Sequence, residues 1–221
     1  MSASPAILEI GASASPSTRA LILHGILGSA KNWRSFARRL SRIRPDVTFV
    51  LADLRGHGES PSGAPPHDLA ACARDLEAIG PVDAVIGHSF GGKVALTYAA
   101  QAPHPPTDVW VLDSNPWSAA DNLNRLGGAG IFRLIETLQA LPMPLPSRDA
   151  LVETLLSNGF TRTLALWMTT NLTRADAGFH WRFDVPVVSQ LLASYLDIDA
   201  FPLLEGRTLP THLVKAERTQ W

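Results

Sequence analysis

A chain of 221 residues with 19 basic and 20 acidic side chains, net charge −1, has no bulk electrostatic attraction for nucleic acid. Its composition, 46% apolar and 18% charged, excludes a disordered or fibrous polymer. No apolar run approaches the roughly 20 residues of a membrane-spanning helix, and the single cysteine, Cys72, excludes an internal disulfide or a cysteine-built metal centre.

The length fits one domain, or one domain carrying an insertion. Residues 1–19 lack a basic start and an apolar stretch, so no secretory signal is read there and the expected location is the cytoplasm or an organelle such as a mitochondrion or plastid. Ile7–Ile10 reads as a short first strand, followed by a Gly/Ser/Pro loop. Residues 20–23 are apolar throughout and read as a buried strand running into His24-Gly25. Trp33, Phe36, Leu40 and Ile43 recur at helical spacing, with Arg34, Arg38, Arg39 and Arg42 on other faces, which predicts an amphipathic helix with a solvated basic side. Val47–Ala52 is the next strand and residues 68–79 the next helix. A strand over 82–86, a helix over 92–100 and a strand over 108–113 follow. Strands alternating with helices at this spacing imply a mostly parallel sheet covered on both faces and joined by right-handed crossovers.

The stretch 115–204 behaves differently. Helical patterns occur at 131–141, 149–156, 163–170 and 187–196, without a convincing buried strand, and Pro142, Pro144 and Pro146 interrupt them. The expected organisation is a core from 1 to 114, a helical cap insertion from 115 to 204, and an incomplete return to the core from 205 to 221. Strand character returns at 211–216.

Chemistry concentrates at the strand ends. Gly87-His88-Ser89-Phe90-Gly91 has the form G-x-S-x-G between a strand and a helix, the context of a nucleophile elbow. Small flanking residues permit the sharp turn, which presents the Ser89 hydroxyl near the positive end of the following helix. The bland alternative is a glycine-rich strand-to-helix connection. Two more loops, His24-Gly25-Ile26-Leu27-Gly28 and Asp53 to Ser60, end other strands. Ligands bind beyond the carboxyl ends of parallel strands, so the three loops converge on one crevice.

This ordered set resembles the α/β-hydrolase superfamily along almost the whole chain. His24 to Ser29 with Asn32-Trp33, Gly87 to Lys93, and Trp181-Arg182-Phe183-Asp184-Val185-Pro186 together look like the ABHD11/YbfF-like esterase subfamily. The resemblance implies a serine esterase or thioesterase acting on small or lipid-like acyl substrates, with no cofactor and no metal. Acyl transfer needs a nucleophile, a base, an orienting acid and donors for the tetrahedral oxyanion. Ser89 is the nucleophile, and the residue after it, Phe90, donates one backbone N–H. The resemblance places the second donor after the His-Gly pair, at Ile26. His24 and His57 read as loop-holding residues, and Gly25, Gly87, His88 and Gly91 as supports of the elbow and pocket, with His88 turned from Ser89.

The resembling subfamily has its carboxylate at the end of the strand after the elbow, which is Asp113 here. Glu217 competes from the following strand, where Thr219 stands nearer the expected position. The order in the superfamily is nucleophile, acid, histidine, with the histidine after the last strand. The sequence ends at Trp221 before that strand, so the chain reads as C-terminally truncated and the expected histidine is absent from it. His104 and His212 fall at the far end of the sheet and His67 off the crevice or at its rim, while His180 of the cap reads as a surface or substrate-contact residue, with a substitute base as the alternative. Trp117, Phe132, Trp167, Phe179 and Trp181 either line an apolar acyl pocket or, for most of them, bury the cap's own core. Two rival functions share the scaffold: a non-catalytic ligand-binding or interaction form, and a cofactor-free lyase or perhydrolase.

Overall fold

Runs of consecutive apolar residues in the early strands find partners on both faces of one sheet. In the computed structural model, which describes residues 3–11, 17–118, 128–205 and 209–217, the order begins with β1 (Ile7–Ile10), β2 (Thr18–Leu23), α1 (Ala30–Ile43) and β3 (Val47–Ala52). There follow α2 (Leu69–Leu76), β4 (Ala84–His88), α3 (Phe90–Gln101) and β5 (Asp108–Leu112). Next come α4 (Gly128–Ala140), α5 (Arg148–Ser157), α6 (Arg162–Thr169), β6 (Leu172–Ala175), β7 (Gly178–Trp181), α7 (Val185–Asp197) and β8 (Thr211–Val214). The main sheet runs β1-β3-β2-β4-β5-β8, with β1 antiparallel at one edge and all other pairings parallel.

Strand alternation divides the apolar residues between two layers. Leu21, Leu23, Val50 and Ala52 face α2 and α3, whereas Ala20, Ile22, Phe49 and Leu51 face α1. β4 starts at Ala84, where its pairing with β5 begins, two residues later than the sequence suggested, and that pairing carries on through His88. α1 also differs in its buried stripe. Ala30, Ala37 and Ser41 are its buried residues, while Phe36 is 41% and Ile43 73% exposed. Small side chains let the helix lie close on the sheet, with Trp33 and Leu40 of the expected stripe packed beside them, partly buried, and Phe36 and Ile43 left to the flanks. Arg34, Arg38, Arg39 and Arg42 are solvated, as their spacing predicts.

Among its described residues, the segment after β5 contains α4 to α7 at nearly the expected places and also a β6–β7 hairpin that the sequence pattern did not suggest. Their apolar faces make a second cluster, with Leu134, Leu138, Leu155, Met168 and Leu192. α7 joins the two clusters: Val187 and Leu191 pack into the main core, and Val188 and Leu192 into the second. Lys93 of α3 braces the same junction. Its fully buried ammonium donates to the carbonyls of Trp117, Tyr195 and Ile198 at 2.7–2.9 Å. Among the described residues, no helix is long and apolar enough to cross a membrane.

Candidate active site

β4 ends at His88, and the chain turns at once into α3. Ser89 takes φ 50° and ψ −119°, a conformation that L-residues avoid and that costs on the order of 1–3 kcal/mol unless its surroundings hold it. They do so at several points. The Ser89 N–H donates to the Leu112 carbonyl at 2.9 Å, and the Ser89 carbonyl accepts from Gly92 at 2.8 Å. A Cβ at Gly87 would run into the Gly91 backbone, and one at Gly91 would stand 2.6 Å from the His24 carbonyl oxygen. Only glycines allow strand, turn and helix to approach this closely.

His24, Gly25, Ile26, His88 and Ser89 line one cleft of about 490 Å³, together with Trp33 and Phe36 of α1 and Trp167 of α6. His88 shapes that wall, its ring edge-on to Trp33 at 5.8 Å between centroids. Burial lowers its pKa below the ordinary histidine value, with the Asp113 charge opposing. Of the five aromatics expected in a cap, Trp167 lines the cleft. Phe132, Phe179 and Trp181 pack into the second cluster, and Trp117 stacks on Phe201 at 38% exposure. The aromatic wall contributed by α1 was not anticipated from the sequence.

Two buried histidines hold the loops around the cleft. His24 Nδ1 donates to the Gly25 carbonyl at 2.8 Å, and its Nε2 accepts from the Leu54 N–H at 3.0 Å. His57 repeats the arrangement, Nδ1 to the Arg55 carbonyl at 3.0 Å and Nε2 from the Leu27 N–H at 3.2 Å. A carbonyl can only accept and an amide can only donate, so both rings are neutral Nδ1–H tautomers. Burial lowers their pKa to about 4 for His24 and about 3 for His57. The Asp53 carboxylate accepts from Ala30 at 2.6 Å, at the start of α1, and from Glu59 at 2.9 Å.

The backbone N–H groups near Ser89 follow from the same network. Gly28 donates back to the Gly25 carbonyl at 2.9 Å and Leu27 donates to His57. Ile26, between Gly25 and Leu27, has no hydrogen-bond acceptor for its N–H among the described residues. Phe90 opens α3, where the first-turn amides lack intrahelical partners, and its side chain is buried in the main core.

Register brings Asp113 and Ser89 to the same end of the sheet: His88 pairs with Leu112 as the last pair of β4 and β5, and Ser89 and Asp113 are the residues that follow them. Asp113 also has positive φ, 47°, and its N–H donates to the Val214 carbonyl at 2.6 Å. Asp113 Oδ1 accepts from the Ala216 N–H at 3.2 Å. Glu217 is exposed, and Thr219 lies outside the described residues. All seven histidines are described, and none has a ring nitrogen hydrogen-bonded to the Ser89 hydroxyl. His212 pairs with Asp108 at 3.0 Å at the opposite end of the strands, and His104 is exposed. His67 precedes α2, and its Nδ1 is buried without a partner among the described residues. His180 sits on β7 opposite Thr173, and it does not line the Ser89 cleft. Among the described residues, no three His, Cys, Asp or Glu side chains gather as a metal site.

Comparison with known proteins matches this geometry. Residues 21–170 match the sequence profile of the alpha/beta hydrolase fold family. An abhydrolase domain-containing protein of Schizosaccharomyces pombe is 30% identical over 189 residues, covering 82% of this chain and 67% of that one. The sn-1-specific diacylglycerol lipase ABHD11 of Xenopus tropicalis is 29% identical over 197 residues, covering 84% and 59%. The chain spans 57–62% of the length of the ABHD11 relatives it matches. Among solved structures, a marine microorganism esterase superposes with a TM-score of 0.82 at 23% identity, covering 99% of this chain and 92% of that one.

Proposed function

The chain belongs to the α/β-hydrolase fold family, and from that premise we propose that it carries the acyl-transfer site of a serine hydrolase for carboxylic esters or thioesters. The observation that carries this reading is the backbone of Ser89, held at φ 50° where β4 meets α3, with its side chain on an aromatic-walled cleft. Ser89 Oγ attacks the acyl carbon and its proton passes to a base. The carbonyl oxygen becomes an oxyanion, held by the N–H groups of Ile26 and Phe90. Collapse expels the alcohol or thiol, which takes the proton, and water then releases the acid from Ser89. Each oxyanion donor contributes about 2.7–4 kcal/mol to such a transition state.

Asp113 is the orienting carboxylate in this reading, supported by its place at the same end of the sheet as Ser89 and by the exposure of Glu217. The cleft favours a small acyl group, or the first part of a lipid-like one, with the segment 115–204 acting as a cap over it. No histidine ring hydrogen-bonds the Ser89 hydroxyl, and in this reading the base is the member of the triad left unassigned. That same observation favours one rival, a ligand-binding form of the fold without turnover.

Hydrolysis of p-nitrophenyl acetate by the purified chain separates the two, measured with and without added imidazole beside Ser89→Ala. The acyl-transfer reading expects turnover that imidazole stimulates and that Ser89→Ala reduces to the imidazole background. Equal rates in the two proteins at every imidazole concentration, with an acyl ligand still bound, would establish the binding form instead.

A further inference from the structure

The turn that carries the Ile26 amide is assembled from two distant parts of the chain. Gly28 N–H to Gly25 carbonyl closes four residues, and Leu27 occupies the third position with φ 59°. Ile26 does not share the positive φ, so this is the type II pattern, whose third residue is usually glycine. A leucine there is strained, and its side chain shows what offsets the strain. It is fully buried, not in the main core under the sheet but in the second cluster, with Leu134, Leu138, Met168 and Leu192.

The backbone of Leu27 is pinned as well. Its N–H goes to His57 on the β3 side, and its carbonyl accepts from Asn171 Nδ2 at 2.9 Å, across 144 positions of sequence. Asn171 is 5% exposed and lies between α6 and β6. Its own N–H donates to the Met168 carbonyl at 3.0 Å, and its carbonyl accepts from the Arg182 N–H at 2.8 Å. The side chain is therefore presented from a fixed backbone. Nearby links tie the same region to the β3 loop: Asp184 N–H to the Gly56 carbonyl at 2.8 Å, and Arg182 to Glu59 at 3.0 Å.

We propose that Asn171 is a positioning residue for the oxyanion hole, which with the Leu27 side chain makes the cap responsible for the orientation of the Ile26 amide. The catalytic consequence rests on the acyl-transfer reading above. Without the Asn171 donor, the Leu27 carbonyl is left buried and unpaired, and the turn loses the contact that opposes its strain.

Two variants test this. Asn171→Leu keeps the approximate volume and cannot donate. Asn171→Asp keeps the shape, cannot donate when ionised, and carries the test if the leucine variant does not fold. Two readouts are taken on each protein: kcat and KM for imidazole-supported p-nitrophenyl acetate hydrolysis, and amide hydrogen exchange at residues 25–28. We expect kcat to fall about tenfold, less than the hundredfold or more that follows outright loss of an oxyanion donor, with KM changed less than about twofold. Exchange of the Leu27 N–H should quicken about tenfold while β2 and β4 stay protected. A purely structural role would lower the unfolding temperature and leave kcat of the folded protein intact, which would overturn the proposal. So would unchanged exchange at Leu27. Absence of Ser89-dependent turnover in the unsubstituted chain would instead refute the acyl-transfer reading, and the exchange comparison would then decide the Asn171 claim alone.

Discussion

His24 and His57 sit beside the cleft, yet both are spent on structure. Each ring donates to one backbone carbonyl and accepts from one backbone amide, leaving no nitrogen for substrate. The arrangement has a pH signature. In the unfolded chain both protonate near the ordinary histidine value of 6.5, whereas burial holds the folded values near 4 and 3. Between these limits the unfolded state binds more protons, so stability is complete above pH 6.5 and is lost as pH falls. The linked loss at pH 5 is of order 4 kcal/mol for the pair. Urea unfolding should therefore show a midpoint that is flat from pH 8 to 7 and falls steeply from 6.5 to 5. A midpoint unchanged at pH 5 would mean that these rings are not neutral and buried. Their loop-holding role was legible in sequence, because each follows a strand among glycines and small residues. Asn171 was not legible. Its meaning lies in one hydrogen bond to a residue 144 positions away, and no local pattern encodes that.

At the scale of elements, α3 is buried along almost its whole length, including a lysine. Lys93 is fully covered, and its ammonium satisfies three carbonyls from the stretch after β5 and from the end of α7. Burial lowers its pKa to about 8. Lys93→Met keeps the volume but strands those acceptors, and should destabilise the fold by roughly 3–5 kcal/mol in urea unfolding. Arg38→Ala, on the solvated side of α1, should stay within about 0.5 kcal/mol. Equal effects of the two would remove Lys93 as a brace. The helices after β5 were readable from their apolar patterns and α3 from its place after the elbow; the β6–β7 hairpin was not readable. Leu172–Ala175 and Gly178–Trp181 are short and mostly half-buried or exposed, so neither shows the alternation or the apolar run that marks a strand. In α1 the period identified a helix but not its buried stripe, because small residues at Ala30 and Ala37 carry the contact with the sheet.

Across the whole molecule, one sheet presents three strand-end loops, and the segment after β5 packs over them through α7, Leu27 and Asn171. Parallel topology gathers the three loops at one end of the sheet, but only those after β2 and β4 line the Ser89 cleft, whereas Gly56, Gly58, Glu59 and Ser60 line a separate one with Arg182 and Asp184. The lining of the Ser89 cleft was not legible in the sequence. Four of the five aromatics expected to face substrate or fill the cap pack against the second cluster, Trp167 lining the cleft as well, while Trp33 and Phe36 of α1 form much of the wall. Periodicity reports that a side chain is apolar, not which of two neighbouring apolar regions receives it.

Ser89 acts, in this mechanism, as a nucleophile set against an oxyanion hole. That role is tested most directly by exposing the chain to a fluorophosphonate, with and without imidazole, and mapping the adduct by peptide mass. The account predicts one phosphonyl group, on the peptide that contains Ser89, formed faster with imidazole and absent in Ser89→Ala. A folded chain that gains no adduct, or gains it on another residue, would contradict the account.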